Sequence, residues 1–152
     1  MRGQSHDQSG RCTFIMLAVI ASIWLYPIVS RAAEDPIGDP KSWSSNFAQI
    51  VSTRDTDKII GALVTASLGK AKPEALKVKL AQIAEVLAAS GEISSIEPIA
   101  ERAWGKSIVR YWYYLDFKDQ EMIVSTRFQK HRGVWELDHY TITTELDDAD
   151  LP

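Results

Sequence analysis

An α+β domain is predicted by three features of the sequence. Apolar stripes of helical period fill residues 40–90, the period changes to two from Ile93 onward, and turn signals recur at Gly105-Lys106, Asp119-Gln120 and Arg132-Gly133. Together they predict two to three N-terminal helices packed on a four-stranded antiparallel meander. The elements are justified below in chain order.

Residues 1–33 read as a signal peptide. Arg2 and Arg11 precede an apolar run from Phe14 to Ile20 that continues to Val29, broken only by Ser22 and Pro27, and small residues follow at Ser30, Ala32 and Ala33. Cleavage is expected between Ala32 and Ala33 or after Ala33, and an uncleaved anchor is the alternative. Either way the domain is expected outside the cytoplasmic membrane, periplasmic or secreted, with a membrane partner only if the leader is retained. Cys12, the single cysteine, lies before the apolar run, so the mature chain has no thiol for a disulfide, a cysteine metal site or a nucleophile. Losing Arg2, Arg11, Arg31 and Asp7 from 17 basic and 20 acidic residues leaves 14 and 19, a net charge of about −5. No basic surface is visible, which disfavours a nucleic-acid partner.

Residues 34–39 form an acidic leader that reads as a flexible spacer. Asp39 can cap a helix opening at Pro40, with Trp43, Phe47, Ile50 and Val51 on one face. Asp55 or Thr56 caps a second helix carrying Ile59, Ile60, Leu63, Val64 and Leu68, which Gly69 stops. A third opens at Pro73-Glu74 and runs to Ser90, with Leu76, Leu80, Ile83 and Leu87 as its stripe and Gly91 as its stop. All three stripes are expected in the core.

The strands are tested by register. A two-residue loop at Asp119-Gln120 would pair Phe117 with Met122, Leu115 with Val124, Tyr113 with Thr126 and Tyr111 with Phe128. A loop at Gly105-Lys106 would set Glu101 opposite Arg110 and Ala100 opposite Tyr111, leaving Pro98 in an edge strand. In the last strand the apolar residues change parity, from Trp135 and Leu137 to Tyr140 and Ile142, so a β-bulge is expected at Asp138-His139. The domain closes at about residue 146, and 147–152 form an acidic tail.

Helices followed by a meander whose last strand reads Gly133-Val134-Trp135-Glu136-Leu137 and then Tyr140-Thr141-Ile142-Thr143 resemble the cystatin-like cone of the nuclear-transport-factor-2-like superfamily, especially its small exported bacterial members. The resemblance covers roughly residues 40–146. It implies a curved sheet wrapped round a helix, open to a small molecule in some members and filled in others. A ketosteroid-isomerase-like site would need a carboxylate inside the cone, and the expected inward positions carry none, with Asp116 and Asp138 on the other face. An inhibitory cystatin would show a glutamine-x-valine-x-glycine hairpin, which Gln129-Lys130-His131-Arg132-Gly133 does not match.

Tyr111, Tyr113, Tyr140, Trp104 and Arg102 are the candidate cone-facing residues, either core filling or the lining of a small apolar ligand's pocket. Ile99, Trp112, Tyr114 and Ile123 are expected on the outer sheet face with Arg127 over Trp112 and within reach of Asp138, a surface ladder or the interface of a homodimer or envelope partner. The sequence holds no catalytic motif and no cofactor fingerprint, and His131 and His139 are too far apart for a metal site. The expected function is therefore an exported, non-catalytic binding or assembly domain. Ligand binding in the cone leads, association through the outer face is the alternative, and acid–base chemistry in the cone is the weaker third reading.

Overall fold

The computed structural model describes residues 35–67, 70–145 and 151; the signal-peptide reading, the helix stop at Leu68-Gly69 and most of the acidic tail lie outside the described residues. Three helices, α1 (Pro40–Ser52), α2 (Thr56–Ala66) and α3 (Pro73–Ala89), precede four strands, β1 (Ile93–Trp104), β2 (Ile108–Phe117), β3 (Glu121–His131) and β4 (Val134–Thr143). The strands form one antiparallel sheet in the order β1-β2-β3-β4, as the turn signals predict. Among the described residues no helix is long and apolar enough to cross a membrane.

Local chemistry starts the helices where expected and stops α3 at Gly91. The Asp39 carboxylate accepts from Ser42 N at 2.9 Å, and Asp55 accepts from Lys58 N at 3.2 Å, each satisfying a first-turn amide. The Ser42 hydroxyl, which donates to Asp39 at 2.6 Å, and the Lys58 ammonium, 3.0 Å from Asp55, add to these amide bonds and are the larger cause of both carboxyls lying below the ordinary carboxylate range. After α3, Gly91 takes a φ of 79°, and a Cβ there would lie 2.6 Å from an Asp119 carboxylate oxygen. Only glycine fits both constraints.

The helices cover one face of the sheet, here called inner. Phe47, Ala48 and Val51 of α1 are buried with Tyr111, Leu115, Val124 and Phe128 of the strands. Trp43 stacks on Phe47 at 5.1 Å and meets the edge of Phe128 at 5.5 Å. Trp135 and Leu137 pack against this core while staying half-buried. At its centre the hydroxyls of Ser44 and Thr126, both fully buried, share a 2.5 Å hydrogen bond that ties α1 to β3. Each hydroxyl satisfies the other where water cannot reach.

The leader is not a free spacer. Asp35 accepts from Ile37 N and Gly38 N, and its second oxygen accepts from Trp135 N of β4 at 3.3 Å. Ile37 thereby joins the core at 7% exposure, so ordered chain begins before the first helix.

Candidate functional site

Two registers differ from those the turn signals predict. The β2–β3 pairing is displaced by two residues, joining Tyr111 with Thr126, Tyr113 with Val124 and Leu115 with Met122. Phe117 N donates to Gln120 O at 3.0 Å, closing a wider turn than the expected two-residue loop. Because the displacement is even, every side chain keeps its face.

The β1–β2 difference has larger consequences. Pro98 pairs with Tyr113 but Ala100 pairs with Trp112, so Ile99 is an extra residue in a bulge. Beyond it Glu101 lies opposite Tyr111, while Arg102 lies opposite Arg110 and Trp104 opposite Ile108. The parity flip corrects the assignment of Arg102 and Trp104 to the cone. They stand on the outer face, exposed, with the Arg102 guanidinium 5.1 Å from the Trp104 ring centre. Asp116 and Asp138 do face outward, but the same flip carries Glu101 to the inner side, where no carboxylate is expected.

Glu101 meets α1 at the rim. Its carboxylate pairs with Lys41 Nζ at 3.0 Å, and that hydrogen bond raises the lysine above its ordinary value. Around the pair runs a groove between α1 and β1. One part, about 630 Å³, sets Ser42, Ser45, Asn46 and Gln49 against Ile96, Pro98 and Tyr113. An adjoining part, about 270 Å³, shares Lys41, Pro98 and Tyr113 and adds Glu101, Ile99 and Tyr111. Tyr111 and Tyr113 are thus brought together, but at the rim rather than in an open cone, because α1 fills the interior. Burial, helped by the charge of Glu101, pushes the Tyr111 phenol up to about 12, so at neutral pH it is a proton donor and not a base.

Tyr140 is placed elsewhere. It lines a separate hollow of about 370 Å³ with Lys79, Leu80 and Ile83 of α3, together with Asp138, His139, Thr141 and Ile142 of its own strand. Burial raises its phenol too. His131 borders a different depression, beside Lys70 and Glu136, so the two histidines do not converge. Among the described residues no three histidines and carboxylates come together as a metal site.

The outer-face candidates are corrected in exposure and in partners. Trp112 and Ile123 are covered at 1% and 3%, forming a small cluster with Ala100 and Tyr114, while Ile99 stands apart in its bulge at 43%. Arg110, rather than Arg127, lies over the Trp112 ring, at 4.8 Å. Arg127 bonds Asp138 at 2.6 Å, the cross-strand pair expected for it. The sequence missed Lys41, Asn46 and Glu101. The first two lie on the polar side of a helix, where every residue type reads as solvent-facing, and Glu101 is turned inward by the bulge.

No family model matches the chain, and no curated protein matches it. Among solved structures it is similar to a Campylobacter jejuni protein provisionally named an NTF2-like transpeptidase, at 19% identity and a TM-score of 0.47, over 65% of this chain and 96% of that one. The order and packing of the chain's own elements, helices and then a four-stranded meander, fit the NTF2-like, cystatin-like architecture.

Proposed function

We propose that the protein is an exported, non-catalytic binding domain whose ligand site is the groove between α1 and β1. Export is supported by the basic, apolar and small-residue order of residues 2–33. Binding is supported chiefly by one observation, the two-sided lining of the groove. The amide and hydroxyl groups of Ser45, Asn46 and Gln49 face the flat apolar surface of Ile96, Pro98 and Tyr113. Small-ligand sites combine such an apolar wall with a few directed polar groups, in volumes of about 300–1,000 Å³. A small amphipathic molecule with a flat apolar side and a hydroxylated or amide edge fits this chemistry better than the wholly apolar ligand expected from an open cone.

Acid–base chemistry is the weaker reading of the same groove. Glu101 is half exposed and held in an ion pair with Lys41, and the Tyr111 phenol keeps its proton at neutral pH, so neither favours that reading.

Backbone amide shifts of the labelled protein during titration with phenyl glycosides and hydroxybenzoates test the binding reading. Saturable shifts at Ser45, Asn46 and Ile96, lost in Tyr113→Ala and Asn46→Ala variants that keep their fold, are expected. Shifts confined to the hollow beside Tyr140, or absent for both probe classes, would count against the groove.

A second reading is association with a like copy or an envelope protein through the outer sheet face. It is favoured by the separate Trp112–Ile123 cluster, since aromatic and arginine patches are common in interfaces. Their burial within the chain means that a partner could reach them only by displacing what covers them.

A further inference from the structure

Strand β1 is the longest of the four and lies at the edge of the sheet. Of the large apolar side chains left exposed among the described residues, Ile93, Ile99 and Trp104 stand on β1, against Val78 and Leu151 elsewhere. An edge of this kind offers backbone donors and acceptors to another strand. Its charges are open as well. Glu97 and Arg102 make no ion pair among the described residues: Glu97 accepts from the Ser95 hydroxyl at 3.3 Å, and the Arg102 guanidinium lies over Trp104.

The bulge arranges these charges symmetrically. Before it, Ser95 and Glu97 stand on the outer face, opposite Asp116 and Tyr114, while Ile96 and Pro98 face inward. After it, Arg102 and Trp104 are outer, and Glu101 and Ala103 inner. Counted outward from Ile99-Ala100, a carboxylate stands two residues before and a guanidinium two residues after. Two copies of β1 laid antiparallel about a two-fold axis at Ile99-Ala100 therefore keep like faces together. Pro98 then lies opposite the partner's Glu101, Glu97 opposite the partner's Arg102, Ile96 opposite the partner's Ala103 and Ser95 opposite the partner's Trp104. The axis makes each pair twice, so both carboxylates meet a guanidinium.

We propose that two copies of this chain pair antiparallel through β1, joining their sheets into one continuous sheet. A second copy fits this edge because the charge order of β1 complements itself. Pro98 gives no N–H to either neighbour, so the new ladder depends on the rungs to either side of it. The helices leave room for the pairing. Helix α1 packs over β2, with β1 and β3 to either side, and by strand spacing the two copies of β2 would stand about 14 Å apart, more than the roughly 10 Å that a packed helix occupies. The groove between α1 and β1 becomes half of a cleft walled by two helices and floored by both β1 strands. The pairing needs no ligand and does not rest on the groove as a binding site.

Charge reversal tests the pairing, by sedimentation equilibrium of the full chain. The unaltered chain should dimerise, and Glu97→Arg and Arg102→Glu should each weaken self-association by about tenfold or more, because each sets like charges opposite one another twice. An equimolar mixture of the two variants should recover the dimer as a heterodimer, in which both pairs are again opposite in sign. No contact within a single chain explains recovery on mixing. An unaltered chain that stays monomeric at about millimolar concentration overturns the pairing. So does association that both reversals leave intact, which would belong to the outer sheet face, or weakened association that mixing does not restore. If the variants fail to fold, isotope-filtered nuclear Overhauser contacts in a half-labelled sample of the unaltered chain decide: contacts between Ile96 and the partner's Ala103 are expected, and their absence overturns the pairing.

Discussion

Both edge strands of the sheet are bulged, β1 between Ile93 and Ser95 and again at Ile99, and β4 at Asp138, and of the two that lie mid-strand, at Ile99 and Asp138, only the one in β4 is written in the sequence. In β4 the bulge at Asp138 separates Leu137, opposite Phe128, from Tyr140, opposite Thr126, and both flanks pack against the helix-covered core. Apolar residues therefore mark the inward face before and after the extra residue, and their change of parity records it. In β1 the bulge at Ile99 is followed by Ala100, half-buried, and then by Glu101, Arg102, Ala103 and Trp104, all exposed. A stretch with no buried face has no apolar phase to lose. A bulge can be read from sequence only where the strand is half-buried on both sides of it.

The comparison can be pushed hardest by deleting each extra residue. Without Asp138, Tyr140 and Ile142 would turn toward solvent unless the whole strand slid. Burial of such side chains is worth about 1.5–3 kcal/mol each, so a loss of about 3–5 kcal/mol is expected in chemical denaturation. Without Ile99, the residues that change face are exposed already. Stability should fall by about 1 kcal/mol or less, while Glu101 leaves Lys41 and the groove loses its charged rim. Equal losses for the two deletions would break the comparison.

A smaller effect separates the two faces through their tyrosines. The Tyr111 phenol, on the inner face, is pushed to about 12 mainly by burial, whereas Tyr114, on the outer face, reaches about 12 mainly through its hydrogen bond to Glu121. A phenol whose pKa rises on folding favours the native state while it stays protonated. Its contribution is complete below about pH 10, the ordinary tyrosine value, and is lost as pH rises through about 12. Denaturant midpoints measured from pH 9 to 12 should fall, less steeply in Tyr111→Phe and in Glu121→Gln than in the unaltered chain. A slope untouched by Tyr111→Phe would mean that the phenol is not buried on folding.

The same contrast explains how much of the molecule is legible beforehand. Helix starts at Pro40, at Asp55-Thr56 and at Pro73, the order of the strands and the β4 bulge all follow from signals that bear on burial or on backbone satisfaction, which the fold must obey. The β2–β3 register is misplaced by two residues without cost, since alternation fixes which face a side chain takes and not how far along it sits. The groove is hidden for a different reason. Lys41, Asn46 and Gln49 become a wall only because β1 passes beside α1, a long-range contact that no local pattern encodes. The buried Ser44–Thr126 pair is equally silent, because a serine in the first turns of a helix reads as a capping or solvent-facing residue.

What the groove presents depends on the pairing of β1 with β2, and cross-strand nuclear Overhauser contacts between backbone protons report that pairing without any mutation. The account predicts contacts of Ala100 with Trp112, Glu101 with Tyr111 and Arg102 with Arg110, and of Pro98 with Tyr113 on the other side of the bulge. Contacts of Ile99 with Trp112 and of Glu101 with Arg110, the unbulged register, would contradict it. They would return Arg102 to the inner side and take Glu101 out of the groove.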